Sequence, residues 1–505
     1  MGQRRAPLIA LLATVAAAGA LVMAWATALG AGLVSDSLVY VDAARSVLAG
    51  RGLVALGEPM VHYPPGYPLL LAAGGLAGLE PLDGARMLEV ALYAANAALV
   101  ALVAWVAAER SLAAAGAAAL LFLGNASMLE VHAWAGSDPL CLACALVALL
   151  AAARHAATGH IRPLALAALA AAAALVTRYV GVTLLPALLA AVLLSPASTR
   201  ERARNAALLL ALSCGPLLLA LARNALIGAS ATGRHLVFHP VQLVHLTNLL
   251  DTLFQYWLPT ETAAAYEALA LGAGLAVAGA LVAWLVRRTG EPDLLVLIAL
   301  AFVATYLPFL FLSISFADAH TPLDARMLAP VQAVVWALVA ALVARAAARH
   351  RNRLASLVAL ATLAAVASAN VGPATWTATG WHVVGHGFQD RDWRASPVLR
   401  SAAALPSGLV LYSNGPEPLR FLTGRPARSV PPRVLPNTLE RNPDYERDVE
   451  AMSTEVRSGA AAVVWFDRIT WRWYLPARQD LEVEHHLPVL SALEDGAVLG
   501  KGAAR

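Results

Sequence analysis

Apolar runs recur along most of the first 370 residues of this chain, and no other feature constrains its fold as strongly. Hydrophobic residues make up 59% of the 505 residues, whereas charged residues make up 13%. A soluble core does not need so many apolar segments of about 20 residues, but a bilayer core of about 30 Å does. The composition therefore predicts a polytopic α-helical membrane protein.

Eleven segments have lengths broadly suited to membrane-spanning helices. They cover residues 7–31, 86–108, 113–128, 135–153, 163–176, 179–195, 205–227, 263–286, 292–313, 327–344 and 353–371. The segments at 113–128 and 163–176 are short for this purpose. We therefore expect about eleven spanning helices.

The arginines between these segments predict how the chain is oriented. They fall in short alternate loops, which the positive-inside rule assigns to the cytoplasm. These arginines are Arg4, Arg5, Arg110, Arg154, Arg162, Arg200, Arg202, Arg204, Arg287, Arg288, Arg345, Arg349, Arg351 and Arg353. The N-terminus is then cytoplasmic, and the first helix is a retained anchor because no small-residue cleavage site follows it. Lys501 is the only lysine, which is typical of a GC-rich bacterial genome, so we expect a cytoplasmic (inner) membrane location.

A long polar loop follows the first apolar segment, at about residues 35–70. It begins with Asp36, continues into a short amphipathic helix, and returns to the membrane through Tyr-Pro-Pro-Gly-Tyr-Pro. Residues 66–80 are apolar but short and glycine-rich. If they crossed the bilayer, every later arginine-rich loop would lie on the wrong side. They are therefore predicted to form an interfacial or re-entrant helix, which keeps both ends of the loop on the outer face.

The composition changes after residue 372. Tryptophans appear, prolines cluster between Pro426 and Pro436, and short apolar runs such as GLVLYS and AAVVWF follow helical-looking stretches. This alternation predicts a small α/β domain, and an odd number of spans puts it on the extracytoplasmic side. The chain thus divides into a membrane module, residues 1–372, and an extracytoplasmic domain, residues 373–505.

Many polar residues outside the arginine-rich loops fall at helix ends on the predicted outer face. They are Asp36, Asp42, Glu130, His132, Asp138, Arg178, Tyr179, Arg223, Arg234, Asp318, His320, Asp324 and Arg326. Ionisable residues in or beside membrane segments are costly and often functional. A catalytic or binding surface is therefore expected on the outer face.

Several of these residues lie in motifs that resemble a known superfamily. Asp36 just beyond the first helix, an amphipathic helix ending in LAGRG, and YPPGYPLLLA are similar to the GT-C superfamily of membrane glycosyltransferases. AWAGSDPLCL puts Asp138 in the place of that superfamily's second acidic residue, and TRYVG, LARNALIGASATG and TPLDARMLAP also look like its elements. The resemblance covers roughly residues 5–345. It is closest to the bacterial branch of lipid A aminoarabinose transferases and polyprenyl-phosphate-mannose protein mannosyltransferases.

The resemblance implies a glycosyltransferase, a hexosyl- or pentosyltransferase that depends on a polyprenyl-phosphate-linked sugar. Such an enzyme would transfer the sugar to an envelope acceptor on the outer face of the cytoplasmic membrane and invert the anomeric centre. The acceptor would be a glycan, a lipid or a protein, and membrane lipid would be a further partner. No nucleic-acid footprint stands out in the sequence.

Asp36 and Asp138 are the candidate catalytic carboxylates. A hydroxyl acceptor is a poor nucleophile, so a carboxylate must accept its proton as it attacks the anomeric carbon. Both residues also have the sequence context of a helix N-cap, which is the structural alternative. Many relatives carry two adjacent acids after the first helix, whereas Asp36 stands between Ser35 and Ser37 and the next acid is Asp42. This departure favours a lone base at Asp36.

Arginines are the candidate ligands of the donor phosphate. Their planar guanidinium groups pair bidentately with phosphate and can neutralise a leaving group. Arg326 is the first candidate, because it begins a helix after a polar outer loop. Snorkelling from a helix end to the interface is its structural alternative. The further candidates are Arg178, Arg223 and Arg234.

Tyrosines and possible metal ligands complete the candidate site. Tyr63 and Tyr67 are expected to bind substrate by lining the donor groove, with interfacial anchoring as the alternative. His132, Asp318 and His320 could contribute to a metal site, but their spacing matches no fixed ligand pattern. A divalent cation is compatible with these residues and is not demanded by them, so no cofactor is assigned.

A transporter or flippase of lipid-linked or polar solutes is the alternative function. Transporters place charges near the membrane midplane on interrupted helices and often have repeated halves. Here the charges lie at helix ends on one side, and no hydropathy repeat is evident. A non-catalytic envelope scaffold is a third interpretation, in which Asp36 and Arg326 would be replaceable.

Overall fold

The computed structural model describes residues 5–227, 230–234, 236–258, 293–349 and 353–501 of the chain. Within these ranges, the chain is mostly helical as far as Val384 and forms a small mixed domain after it. The predicted span at 263–286 lies outside the described residues.

The described helices of the membrane module and its loops run as follows in chain order. They are α1 (Arg5–Ala26), α2 (Ser35–Leu48), α3 (Gly66–Leu76), α4 (Pro81–Ala107), α5 (Leu112–Leu123), α6 (Ala126–Ala133), α7 (Asp138–Thr158), α8 (Ile161–Thr177), α9 (Leu184–Leu194), α10 (Thr199–Leu226), α11 (Leu243–Gln255), α12 (Leu294–Phe316), α13 (Ala325–Arg349) and α14 (Arg353–Val384). A 3₁₀ turn, Tyr179–Thr183, precedes α9, and the short strands β1 (Val54–Ala55) and β2 (Glu58–Pro59) pair between α2 and α3.

Fewer described helices are long enough to cross a bilayer than the sequence predicts. Six of them, α1, α4, α7, α10, α12 and α13, have the length and composition of a span, and the bent pair α5 and α6 would make a seventh. The apolar helices α8 and α9 are shorter, with 17 and 11 residues. α14 continues to Val384, past the predicted domain boundary at residue 372. The protein is a multi-pass helical membrane protein, and the count of eleven spans is not confirmed.

The predicted span at 113–128 is in fact two helices. α5 and α6 meet at an angle of 65°. Asn125 caps α6, because its side chain accepts a hydrogen bond from the Met128 N–H at 2.9 Å. Its amide group also donates to the carbonyl of Tyr256 at 3.1 Å. Asparagine is among the preferred N-caps, so a new helix starts here in a new direction.

Small residues let the membrane helices approach one another closely. On α4, Ala97 and Ala104 have no exposed surface. In lipid, small side chains favour helix association because they allow close backbone packing. α7 and α8 form a hairpin closed by Gly159, whose φ of +70° suits the end of a helix. The hairpin brings the first residue of α7, Asp138, to the same end of the bundle as Arg178, which follows α8.

The long first loop, which follows α1, packs against the end of α8. α3 has 11 residues, which is about 16 Å of helix and too short for a hydrocarbon core of about 30 Å. Its first residue must be glycine, because a Cβ on Gly66 would lie 2.6 Å from the carbonyl oxygen of Val176. The Tyr-Pro-Pro-Gly-Tyr-Pro segment therefore lies against α8 at Val176, just before Arg178.

The predicted α/β domain follows α14. Its elements are α15 (Arg391–Arg394), α16 (Pro397–Ala404), β3 (Val410–Ser413), α17 (Pro416–Thr423), β4 (Arg428–Ser429), α18 (Tyr445–Ser458), β5 (Ala461–Phe466), α19 (Arg478–Val483), β6 (Val489–Leu493) and β7 (Gly496–Leu499). The sheet order is β4-β3-β5-β7-β6, with β3 parallel to β4 and β5, and β7 antiparallel to β5 and β6. The runs GLVLYS and AAVVWF contain β3 and β5, so these two strand predictions are confirmed.

The α/β domain is attached directly to the loop between α1 and α3. Leu33 and Gly387 form a parallel bridge, and the Phe388 N–H donates to the Leu33 carbonyl at 2.9 Å. Gly387 has a φ of +63°, and a Cβ there would collide with the same carbonyl. α17 also packs on α2. The domain therefore lies beside the N-terminal end of α2, where Asp36 is located.

Candidate active site

Asp36 lies in the first turn of α2 and faces two partners. The Tyr63 hydroxyl donates to Asp36 Oδ1 at 2.8 Å, and Arg326 Nη1 lies 3.4 Å from Oδ2. The N-cap of α2 is Val34, and Ser37 accepts a hydrogen bond from its N–H at 3.2 Å. The N-cap interpretation of Asp36 is therefore wrong. Its carboxylate is directed towards the loop and α13 instead.

Arg326 lies between two carboxylates at the start of α13. Its Nη1 faces Asp36, and its Nε lies 3.5 Å from Asp324 Oδ2. The Arg326 side chain is 26% exposed, and that of Asp36 is 32% exposed. Both side chains are thus half-buried, and a substrate can still reach them. The Arg326 guanidinium thus contacts two carboxylates of the protein. In the snorkelling alternative it would extend to the membrane interface instead.

Asp138 and Arg178 form a buried ion pair close to this cluster. Arg178 Nη1 lies 2.7 Å from Asp138 Oδ1, and their side chains are 17% and 6% exposed. Arg178 Nη2 contacts the sulfur of Met327, the residue after Arg326. The Ser137 hydroxyl lies 3.5 Å from Arg178 Nη1 and 3.2 Å from the hydroxyl of Tyr40. Asp138 is therefore neutralised by its own arginine.

Three tyrosines connect Asp36 to the interior of the bundle. The Tyr40 ring makes edge contacts with the rings of Tyr63 and Tyr67, each at 5.3 Å between centroids. Burial, followed by the negative charge of Asp36, raises the pKa of Tyr63 well above its usual value. The Tyr63 hydroxyl therefore stays protonated and remains a donor to Asp36.

Glu89 is a site residue that the sequence reasoning missed. It lies on α4 with no exposed surface, and it accepts a hydrogen bond from the Tyr67 hydroxyl at 2.8 Å. Its Oε2 atom has no hydrogen-bond partner among the described residues. The available signal was a carboxylate within a helix that is long and apolar enough to span the membrane, which is rare unless it is functional. Tyr67 is fully buried against it and does not line the cavity described next.

An apolar cavity of about 290 Å³ adjoins this cluster. Its walls include Tyr63, Tyr179 and Pro216. Leu69 and Leu219 also line it and are 43% and 74% exposed, so the cavity is open towards the surface that lipid would cover. Tyr63 therefore links the cavity to Asp36.

Arg234 lies close to this cavity and has several partners. Its Nη2 lies 3.3 Å from His62 Nε2 and 3.9 Å from Asp318 Oδ2, and its guanidinium is 5.7 Å from the Tyr179 ring centre. Burial, followed by the positive charge of Arg234, lowers the pKa of His62. His62 is thus neutral at pH 7 and can accept from Arg234.

Arg223 holds the long first loop in place. Its Nη1 donates to the Met60 carbonyl and its Nη2 to the Leu53 carbonyl, both at 3.0 Å. The neighbouring Asn224 donates to the Val61 carbonyl at 3.3 Å. Arg223 was a candidate phosphate ligand, but its donors are directed at the backbone that flanks β1 and β2.

The metal hypothesis gains no support from the described residues. No group of three or more His, Cys, Asp or Glu side chains among them could hold a metal ion. His132 is buried inside the bundle, where its Nε2 lies 2.9 Å from the Asn96 amide nitrogen and its Nδ1 lies 2.8 Å from the Met128 carbonyl. Asp318 faces Arg234 instead, so these candidate ligands do not converge.

The α/β domain supplies one wall of the site. Arg472 Nη2 donates to the Ser35 hydroxyl at 3.2 Å and to both oxygens of Glu417 at 2.7 and 2.8 Å. Arg420 lies 3.7 Å from Asp42 on α2. The residue before Asp36 is thus bound to the C-terminal domain.

Comparison with known proteins identifies the fold. Sequence searches find no matching family model and no matching curated protein. ArnT from Cupriavidus metallidurans bound to undecaprenyl phosphate has a similar structure, with a TM-score of 0.61, 15% identity and coverage of 99% of both chains. ArnT from the same organism in its apo state gives a TM-score of 0.53, 17% identity and coverage of 97% of both chains. ArnT is a lipid A aminoarabinose transferase with the GT-C fold. The GT-C fold predicted from the resemblance is therefore confirmed.

Proposed function

We propose that this protein is a membrane glycosyltransferase that moves a sugar from a polyprenyl-phosphate-linked donor to a hydroxyl of an envelope acceptor. The observation that carries the proposal is the contact of Asp36 with both Tyr63 and Arg326 beside an apolar cavity. A donor with a charged head and a hydrocarbon chain needs polar and apolar surfaces next to each other. The fold is shared with an ArnT that binds undecaprenyl phosphate, which supports a donor of this class.

Asp36 is the proposed general base. The acceptor oxygen attacks the anomeric carbon of the sugar while Asp36 accepts the hydroxyl proton. The bond between that carbon and the phosphate oxygen breaks, and its electron pair leaves with polyprenyl phosphate. A single displacement inverts the anomeric centre. The Tyr63 hydroxyl holds Oδ1, so the carboxylate is oriented before the acceptor arrives.

Arg326 is the proposed ligand of the leaving phosphate. A guanidinium has five N–H donors, of which Nη1 and Nε face Asp36 and Asp324. The other N–H groups can bind phosphate oxygens, and this binding strengthens as negative charge develops on them. Arg178 is less suited to this role because its pair with Asp138 is closer, at 2.7 Å, and its side chain is less exposed than that of Arg326. Arg234, near the cavity, is the second candidate.

We further propose that the site faces the outside of a bacterial cytoplasmic membrane. The distribution of arginines supports a cytoplasmic N-terminus under the positive-inside rule. The α/β domain and Asp36 would then both be extracytoplasmic. The acceptor would be a glycan, a lipid or a protein of the envelope.

The substitution Asp36→Asn tests the proposed base. Asparagine keeps the size and accepts a hydrogen bond from Tyr63, but it cannot accept a proton. In a strain that lacks the gene, we expect this variant to form the glycosylated product about 10²- to 10⁴-fold more slowly than the wild type. Mass spectrometry of lipid-extracted and cell-wall glycans measures the product.

The exposed Asp83, in the first turn of α4, provides the matched control. Asp83→Asn makes the same chemical change away from Asp36 and should leave the product unchanged. Normal glycosylation by Asp36→Asn, at a normal level of protein, would contradict the proposed function. That result would favour a transporter or a scaffold.

A further inference from the structure

A short loop of the α/β domain exposes two tryptophans next to the site. We call residues 470–474, with the sequence TWRWY, the tryptophan loop. Trp471 and Trp473 are 50% and 53% exposed, whereas the side chain of Arg472 between them is 9% exposed. The alternation shows that Arg472 faces inwards and both indoles face outwards. Large apolar side chains exposed in this way often mark a binding surface.

Arg472 anchors the tryptophan loop beside Asp36. Its Nη2 binds the Ser35 hydroxyl and the Glu417 carboxylate, and its Nη1 donates to the Asn414 carbonyl at 3.0 Å. The side chain of Glu417 is 15% exposed, so this is a largely buried ion pair. Such a network holds the backbone of the loop in one position. The two indoles are therefore attached to a backbone segment that is held in one position.

The two tryptophans lie against different walls of the site. The Trp471 ring is 6.5 Å from the ring of Phe388, which is hydrogen bonded to Leu33 just before α2. The Trp473 ring is 5.8 Å from the ring of His320, in the loop between α12 and α13 that leads to Arg326. Trp471 thus lies on the side of the site that leads to Asp36, and Trp473 lies on the side that leads to Arg326. Asp36 and Arg326 themselves are in contact.

The exposed indole groups of Trp471 and Trp473 are available to contact a ligand. Neither indole N–H donates a hydrogen bond to any residue in the described part of the chain. A tryptophan offers a broad apolar face and one polar donor at its edge. A pyranose ring has the complementary arrangement, with a face of C–H groups and hydroxyls around its rim.

We propose that the tryptophan loop is the acceptor subsite, and that it binds a pyranose ring of the acceptor by stacking on Trp471 and Trp473. This inference rests on the proposed glycosyltransferase function and narrows the acceptor to one that carries a sugar. The stacked ring would present a hydroxyl towards Asp36. An alternative role for exposed tryptophans is anchoring in the membrane interface. The buried Arg472 contact with Ser35 favours the acceptor role, because anchoring does not require a link to the site.

A direct binding experiment uses the full-length protein in nanodiscs, labelled with 5-fluorotryptophan. The ¹⁹F resonances of the two residues are assigned with Trp471→Phe and Trp473→Phe. We expect methyl glycosides of glucose, mannose and N-acetylglucosamine, titrated to high millimolar concentration, to shift both resonances for at least one sugar. The resonance of Trp376, which is 81% exposed on α14, should not move and serves as the internal control. No shift with any glycoside would overturn the proposal, and so would shifts caused only by phosphatidylglycerol vesicles.

A functional experiment separates this inference from the proposed function. Trp471→Ala and Trp473→Ala should each lower the glycosylated product at least tenfold, whereas the phenylalanine variants, which keep an aromatic face, should lose less. Binding of undecaprenyl phosphate to the purified protein should be unchanged. Trp376→Ala is the matched control. If Asp36→Asn abolishes the product but both alanine variants keep it, only the acceptor subsite is wrong.

Discussion

Asp36 and Arg326, the leading charged residues of the candidate site, face each other although they lie far apart in the sequence. Arg326 and Asp36 are 290 residues apart, and Tyr63 is 27 residues from Asp36. The sequence predicted Asp36 and Arg326 as the leading candidates on one side of the membrane. It did not predict their contact, or that Asp138 would be neutralised by an arginine. Such pairs depend on helix packing, which no local pattern encodes.

The ion pair of Asp138 with Arg178 provides a test at the residue scale. Asp138→Asn leaves a buried guanidinium without its carboxylate, and we expect a loss of about 3–5 kcal/mol in the free energy of unfolding. The double variant Asp138→Leu with Arg178→Met removes both charges and should recover most of this loss. Denaturant unfolding in detergent measures both. A single variant as stable as the wild type would show that the pair does not support the fold.

The lowered pKa of His62 predicts how the stability of the protein depends on pH. Its pKa is lower in the folded protein than in the unfolded chain, where it is about 6.5. The unfolded chain therefore binds more protons, so stability falls as the pH drops below about 6.5 towards the folded pKa. The charged groups that face His62 are Arg234, Asp318 and Asp36. His62→Gln should weaken this dependence, which thermal unfolding from pH 5 to 8 would measure, and an unchanged profile would contradict it.

Element by element, the sequence predicted helix positions better than helix lengths. The period of apolar residues indicated most of the helices in the described part of the chain, and GLVLYS and AAVVWF indicated two strands correctly. The predicted span at 113–128 is bent, because Asn125 caps a new helix at that point. An asparagine in an apolar run is equally compatible with an uninterrupted helix, so the sequence alone does not distinguish the two. Tertiary contacts of its side chain decide between them.

Gly66 provides a test at this scale. A Cβ at Gly66 would lie 2.6 Å from the Val176 carbonyl oxygen, so Gly66→Ala must push α3 away from α8. We expect a loss of about 1–3 kcal/mol in stability, together with lower transferase activity, because Tyr63 moves with this segment. Gly74→Ala on the same helix is the control, since its nearest neighbour would be 3.8 Å away. Equal behaviour of the two variants would argue against this packing role.

At the scale of the whole molecule, the membrane module and the α/β domain share one site. Arg472 and Arg420 connect the domain to α2 on either side of Asp36. The tail was predicted to be a small α/β domain on the outer face; its sheet is present, and its side of the membrane stays a prediction. Its side-chain contacts with the first loop could not be predicted, because they join residues far apart in the sequence, 437 positions apart for Arg472 and Ser35.

Replacing Arg472 tests the connection between the two parts. Arg472→Met should leave Glu417 without its main partner, increase proteolysis near Gly387, and lower transferase activity several-fold. Arg478→Met is the control, because its ion pairs with Asp467 and Glu482 are more exposed and lie within the domain. Exposed pairs contribute about 0–1 kcal/mol, so this variant should resemble the wild type. Limited proteolysis and glycan analysis measure both effects, and an unaffected Arg472→Met variant would show that the connection is not needed.

The sequence by itself determined the class of this protein and predicted the part of the chain that carries the candidate site. Apolar segments must form helices in lipid, because their backbone groups have no other hydrogen-bond partners there. Charged residues gather at helix ends, since burial in the bilayer is costly. Only the tertiary structure decided which of these charges meet, that Glu89 holds Tyr67, and that Arg472, between two tryptophans of the tail, binds the residue before Asp36. Those contacts depend on the angles and close approaches of packed helices, which composition and periodicity do not specify.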